Sequence, residues 1–371
     1  MKGKASYLLG LALMTGLQVS IPAWPISGGN FQKTLATLKK ADDFPLYVMR
    51  YIGDYGFKER LKEGSRSAAH IRAAVPAPGA AWACSCFSIP APDGRVFFGR
   101  NFDWYEHAAL LLFTDPPDGY AAAALVDLSY LGYGREDIFK KDLIGLRQAP
   151  EYPFDGLNEK GLAVGMMAVP RAEGGRDPKK ATIDDLQAIR LMLDYAKNVG
   201  EAAALLDGYN IDFGSGPPVH FLVADAAGDS AVLEFIDGRM RIVRGRRSFH
   251  LSTNFTLFPD PPENGRTSCW RYNKIFETLS AGDKVRTLDD AMALLRDVSQ
   301  SSAATPTIWS AAFDLKSGEI RIAMGRQYDK IHSWNLFRET TSSAMSPESP
   351  VWPWEISGAA GGETPFSRSR Y

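Results

Sequence analysis

Apolar and polar residues alternate with a period of two from Cys84 to Ile89. Cys84, Cys86 and Ser88 fall on one face and Phe87 and Ile89 on the other. Pro92-Asp93-Gly94 turns the chain, and Arg95-Val96-Phe97-Phe98 runs back as a second strand, so a hairpin is predicted. Asn158-Glu159-Lys160-Gly161 sits between two apolar runs and predicts another. The stretch VHFLVADAAGDSAVLEFIDGRMRIVRG reads as a meander with AAGD and DGR as its turns, and TIWSAAFDLKSGEIRIAMG as a closing hairpin about Lys316-Ser317-Gly318. WYEHAALLLF and AAAALVDLSYLGYG read as strand and loop. Elsewhere the period lengthens to that of a helix. Leu186, Ile189 and Leu193 mark one helical stretch between Thr182 and Leu206, with Thr182 as the expected N-cap, Asp184 and Asp185 in the first turn, and Gly200 expected to divide it in two. Further helices are predicted around Trp270, Ile275 and Leu279, from Leu288 to Val298, and early in the chain at Phe31, Leu35 and Leu38. Strands on both sides of a helical pair, without strand-helix alternation or a glycine-rich phosphate loop, predict an α+β layered fold over a parallel α/β sheet.

Composition adds bounds to this picture. A chain of 371 residues, 45% hydrophobic with a formal net charge of -1, has the apolar mass for a large soluble core and no basic excess that would suggest a nucleic-acid partner. Neither a nucleotide motif nor HExxH or CxxC spacing occurs, so no cofactor and no metal are expected. Lys2 and Lys4 followed by the apolar run Tyr7 to Val19 have the form of an export signal, assigned to residues 1–23, although a buried N-terminal helix would share that composition. The run is short for a membrane span, so no stable span is expected once the signal is gone. Residues 24–83, ending in the linker-like AAVPAPGAAWA, are expected to be a propeptide or linker, 84–340 the catalytic domain, and 341–371 a disordered tail. In an oxidising compartment three cysteines leave one over as a reactive candidate. Of Cys84, Cys86 and Cys269, two are free to pair or to stay buried.

Candidate chemistry gathers at the ends of the first hairpin. Folding back brings Arg100 and Asp103 towards a thiol, and thiolates form near a positive charge. CSCF, the DG turn and GRNFDW resemble the start of the choloylglycine hydrolase group. These linear-amide hydrolases include bile-salt hydrolases, penicillin V acylases and isopenicillin N acyltransferase-like enzymes, with acid ceramidase as a more distant relative. In that group a cysteine is followed by Arg at +16 and Asp at +19; here 100 − 84 = 16 and 103 − 84 = 19, whereas Cys86 gives fourteen and seventeen. The register selects Cys84, while strand periodicity alone leaves Cys86 on the same face.

The resemblance implies a four-layer αββα N-terminal-nucleophile sandwich with antiparallel sheets. It also implies self-cleavage at Ala83-Cys84, removing what precedes. The freed α-amine, with an ordinary pKa of about 7.7 to 8.0, would take the thiol proton and return it to a leaving amine. No histidine is then required, although a distant Cys/His pair of the papain kind is compatible with the five histidines present. By the same resemblance Asp103 would orient the amine, Asn254 would donate its amide to the oxyanion, and Arg271 would sit beside the nucleophile. The plain alternatives are a turn asparagine before LFPDPP and an exposed helix arginine. Trp104 and Tyr105 are candidates for a substrate pocket or for ordinary core. One departure stands out: the hydrolases carry an asparagine ten positions after the one matching Asn158, and this chain has Ala168, which leaves the oxyanion hole one side-chain donor short. The TxWS...D ending extends the likeness over nearly all of 84–338. The expectation is therefore an exported, self-processing cysteine amidase acting on small N-acyl amides. An acyltransferase on the same site and an inactive binding protein of the same fold are the alternatives.

Overall fold

The computed structural model describes residues 28–63, 83–105, 107–214, 216–262, 264–301 and 305–341. The expected signal, the AAVPAPGAAWA stretch up to residue 82 and the tail beyond 341 lie outside the described residues.

In chain order, α1 (Gly28–Ala36) leads to β1 (Lys39–Asp42), β2 (Leu46–Tyr51) and α2 (Phe57–Glu63), before the hairpin β3 (Ala83–Pro90) and β4 (Val96–Asp103). β5 (Ala109–Thr114) and β6 (Ala122–Asp127) precede short 3-10 turns, then β7 (Pro153–Asn158), β8 (Ala163–Ala168) and β9 (Thr182–Asp184). α3 (Asp185–Tyr195) and α4 (Val199–Asp207) follow, then β10 (Asn210–Asp212), β11 (Val219–Ala224), β12 (Ser230–Ile236), β13 (Arg239–Val243) and β14 (His250–Ser252). α5 (Trp270–Ser280), α6 (Leu288–Asp297), β15 (Thr307–Asp314), β16 (Glu319–Met324), β17 (Ile331–Asn335) and α7 (Leu336–Thr341) close the chain.

Two sheets form the centre. One has the order β1-β2-β5-β6-β7-β8-β11-β12-β13 and the other β14-β3-β4-β15-β16-β17, antiparallel throughout except where β2 runs parallel to β5. α3 and α4 cover the outer face of the larger sheet, where the Asn158 amide donates to the Leu193 and Ala196 carbonyls. α6 lies against the smaller sheet, where the Asn101 amide donates to the carbonyl of Leu295. The predicted four layers are present: helices, two sheets face to face, helices. Gly165 shows how closely the sheets approach, because a Cβ there would stand 2.8 Å from the sulfur of Cys86 and 3.2 Å from the ring of Phe98. Only glycine allows that contact without a shift.

Three local readings change. Asp184, not Thr182, caps α3 and forms a capping box with Gln187, because Thr182 is drawn into β9 beside β10. The helical pair divides at 196–198, where Asn198 caps α4, and Gly200 lies inside its first turn. Trp270 starts α5 but is 52% exposed, and the buried stripe runs through Arg271, Tyr272, Ile275 and Leu279.

The described part of the segment before Cys84 is built into the core. β2 meets β5 in six register pairs, from Leu46 opposite Ala109 to Tyr51 opposite Thr114, and Leu46, Tyr47 and Met49 are fully buried. The Tyr55 hydroxyl donates to Asp194 of α3 at 2.5 Å, Arg60 pairs with Glu151 at 2.7 Å, and Asp42 meets His332 of β17 at 2.5 Å. This segment closes one edge of the larger sheet.

Candidate active site

The register of β3 against β4 sets the site. Cys84 stands opposite Phe102, Cys86 opposite Arg100 and Ala83 opposite Asp103. Directly opposed residues share a face and neighbours alternate. Cys84, Cys86, Arg100 and Phe102 therefore point between the two sheets, while Asn101 and Asp103 point towards the helical layer. The contacts agree: Arg100 meets Asp155 on β7, and Asn101 meets α6.

Arg100 is fully buried. Its Nε lies 2.7 Å from Oδ2 of Asp155, and its Nη1 donates to the Met166 carbonyl. Nη2 stands 3.9 Å from the sulfur of Cys84, and Nη1 stands 3.6 Å from that of Cys86. The cation reaches the thiol, but burial opposes it. Burial pushes the Cys84 thiol up, and the opposing pull of Arg100 is the smaller effect; Cys86 is pushed up to about 12 for the same reason. Asp155 shares the guanidinium charge, which explains why proximity alone overstates it. A nucleophile here needs a proton acceptor at the moment of attack.

The backbone of Cys84 is held from the other side. Its amide nitrogen donates to Oδ1 of Asn254 at 2.6 Å, and its carbonyl accepts from Nη1 of Arg271 at 2.6 Å. Arg271 also donates to Asp103 at 3.2 Å and to Oδ1 of Asn254 at 2.9 Å. Asp103 accepts further bonds from Thr307 at 2.5 Å and Gln300 at 3.3 Å. Burial raises its carboxyl to about 6 against the lowering influence of Arg271.

Two expected roles are redistributed. The Cys84 nitrogen bonds to Asn254, and Asp103, on the opposite face of β4, meets Arg271. The Asn254 amide donates to the Ala168 carbonyl at 2.8 Å, which engages one of its two hydrogens. Ala168 thus joins the site through its backbone.

Beside the sulfur is a cavity of about 30 Å³, room for little more than a water, walled by Ala83, Phe102, Trp104, Tyr130, Phe154, Met166 and Pro217 among others. Trp104 is at the site. Tyr105 is not among the lining residues and packs against Trp104 instead, with ring centroids 5.2 Å apart. Sequence reading missed Tyr130, Phe154, Met166, Pro217, Asp155, Thr307 and Gln300, which arrive from separate elements with no shared spacing to announce them.

It also missed a buried clamp. His220 on β11 meets Oε1 of Glu234 at 2.9 Å through Nδ1, and the Thr253 carbonyl at 2.8 Å and Ser252 Oγ at 3.0 Å through Nε2. Glu234 accepts from the backbone nitrogens of Leu257 and Phe258 at 2.7 and 2.9 Å. Both ends of the segment that carries Asn254 are fixed by one pair. Burial alone would raise the Glu234 carboxyl, but His220 and these amides hold it below the ordinary value. None of the described histidines hydrogen-bonds to Cys84, and His70 lies outside the described residues. The three cysteines are unpaired; Cys269 accepts a weak bond from Thr253 at 3.4 Å. Among the described residues no group of three or more His, Cys, Asp or Glu could hold a metal, and no helix is long and apolar enough to cross a membrane.

Two face-to-face antiparallel sheets between helical layers, with a cysteine at the head of an inner strand, define an N-terminal-nucleophile hydrolase fold. Similar solved structures include two variants of conjugated bile acid hydrolase from Clostridium perfringens. Each is 14% identical and covers 69% of this chain and 93% of the other, with TM-scores of 0.52 and 0.53. Penicillin V acylase from Agrobacterium tumefaciens is 18% identical over 65% of this chain and 83% of its own, with a TM-score of 0.49. The family model for acyl-coenzyme A:6-aminopenicillanic acid acyl-transferase matches residues 91–329, and the chain belongs to that family. An uncharacterised protein of Paramecium bursaria Chlorella virus 1 is 25% identical over 206 residues, which is 53% of this chain and 65% of that protein, just under two thirds of its length.

Proposed function

We propose that this protein is an exported, self-processing cysteine hydrolase that cleaves the linear amide bond of N-acyl compounds through a thioester. One observation carries the reading: the nitrogen, the sulfur and the carbonyl of Cys84 are each met by a different side chain, Asn254, Arg100 and Arg271.

In processing, the sulfur attacks the Ala83 carbonyl carbon, the Ala83–Cys84 carbon–nitrogen bond breaks, and the nitrogen leaves as an amine carrying the thiol proton. Water then hydrolyses the thioester and releases the Ala83 carboxylate. Ala83 walls the small cavity, so the cut both frees the base and widens the space beside the sulfur. In turnover, the amine accepts the thiol proton as sulfur attacks the substrate carbonyl and passes it to the departing amine. Water then attacks the thioester, giving up a proton to the same nitrogen; the carbon–sulfur bond breaks, the acid leaves, and the proton returns to the sulfur. The remaining Asn254 hydrogen supplies the oxyanion donor, worth about 2.7–4 kcal/mol in comparable sites. Trp104, Tyr130 and Phe154 suit an apolar acyl group.

Because β2 lies within the larger sheet, the cut separates the backbone while leaving residues 28–63 docked as a second, non-covalent chain. Export rests on the Lys2/Lys4 and Tyr7–Val19 pattern. The test is a panel of N-acyl amides offered to purified protein, with acyl chains from short to long and aromatic. Release of free amine that follows appearance of a chain beginning at Cys84 is expected, and release by an uncut protein would overturn the reading. The family's acyltransferase description favours a second outcome, in which an added amine intercepts the thioester. Partition of the acyl group between water and a supplied amine distinguishes the two.

A further inference from the structure

Two concavities larger than the one beside Cys84 lie away from that residue among the described residues. One, of about 580 Å³, lies where β13 and the following loop meet α5, within the size range of small-molecule sites. Its inner wall is apolar: Phe249, Leu251, Tyr272 and Phe276 line it. Ile242 and Phe258, two of the few large apolar side chains exposed among the described residues, stand at its edge. Its rim is cationic. Arg244, Arg246 and Arg247 line it, with Asp260 the lining carboxylate among the described residues; Arg244 is paired to Asp229, Arg247 lies 4.7 Å from the ring centroid of Phe276, and neither Arg246 nor Arg247 is without a partner within the protein.

A third property separates this cavity from a mere surface hollow. His250 lines it, is only 4% exposed, and has no hydrogen bond of ordinary geometry at either ring nitrogen. Burial pushes it down to about 4, only partly offset by the nearby Ser230 backbone, so the ring is neutral at neutral pH and can both give and accept a hydrogen bond. The Nε2–Cδ2 edge of the ring lies under Gly245, where a Cβ would come within 3.8 Å of both atoms.

We propose that this cavity is a second ligand site, distinct from Cys84, for an amphipathic carboxylate: an anionic head at the arginine rim and an apolar body along Phe249, Tyr272 and Phe276. The site shares elements with the catalytic centre, since Tyr272 lines it while Arg271, its neighbour on α5, reaches Cys84.

The probe is dodecanoate, titrated below its micellar range into Cys84→Ala protein and followed by calorimetry, so that thioester formation plays no part. Saturable one-to-one binding is expected, weakened about tenfold by Arg246→Glu with Arg247→Glu, and by Gly245→Leu, with unchanged circular dichroism. Gly245 has no left-handed backbone requirement, so the leucine fills space without backbone strain. A neutral twelve-carbon alcohol should bind more weakly than the carboxylate. Absence of saturable binding, or binding that both variants leave intact, overturns the proposal.

Discussion

Two buried arginines reach Cys84 from opposite faces of the same hairpin, and they are not equivalent. Arg100 lies between the sheets, its charge committed to Asp155 and to the Met166 carbonyl, with the two sulfurs at 3.6 and 3.9 Å. Arg271 comes from α5 in the helical layer, pairs with Asp103, and bonds directly to the Cys84 carbonyl and to Asn254. The first arginine is tied mainly to the joint between sheets, the second to the backbone of Cys84. An ion pair buried at both ends contributes little net stability when intact but costs about 3–5 kcal/mol when one partner is removed. Charge near a sulfur is therefore a poor guide to function until its other partners are known.

The largest effect expected is from Cys84→Ala, which abolishes both the cut and amide turnover, while Cys86→Ala keeps both; mass analysis and a substrate assay check this. Next is Arg271→Met, expected to slow processing and turnover about 10²–10³-fold with the fold retained, read from the rate of precursor loss. Arg100→Met should do the converse, lowering stability by about 3–5 kcal/mol in denaturant unfolding. The pair Arg100→Met with Asp155→Leu should recover most of that stability without restoring full reactivity. If the double variant is fully active, Arg100 has no role at the sulfur.

The third effect is on pH. Asp103 has its carboxyl raised from 3.8 to about 6, so it is ionised and paired with Arg271 only above that range. Turnover should fall as pH drops through about 6. The sign for stability is opposite, because the folded state holds this proton more tightly than the unfolded chain, so the contribution of this carboxyl to stability grows from pH 6 towards 4. Smallest is Glu234→Gln, expected to lower turnover several-fold, less than the single oxyanion-donor losses known elsewhere, through a loosened Asn254 segment. Its readout is kcat with KM little changed.

What the sequence made legible follows from range. The hairpins at Pro92-Asp93-Gly94, Asn158 to Gly161 and Lys316-Ser317-Gly318 are local, since turn residues and two-residue alternation sit within a few positions of each other. The Cys84–Arg100 proximity was legible for the same reason, as a strand register fixes it. Asp155 and Met166 were not, because they belong to the facing sheet and nothing in the hairpin specifies what packs above it. The linker-like composition just before Cys84 gave no hint that residues 28–63 are packed into the core: Leu46, Tyr47 and Met49 are buried in a strand whose neighbour, β5, comes dozens of residues later. Thr182 lost its capping role because a tertiary pairing with β10 outweighs a local preference.

The most direct test is the mass of the purified wild-type protein under denaturing and then native conditions. The account predicts one chain beginning at Cys84 and a companion carrying residues 28–63, separate when denatured and together when native. A single uncut chain that hydrolyses N-acyl amides at full rate would contradict it.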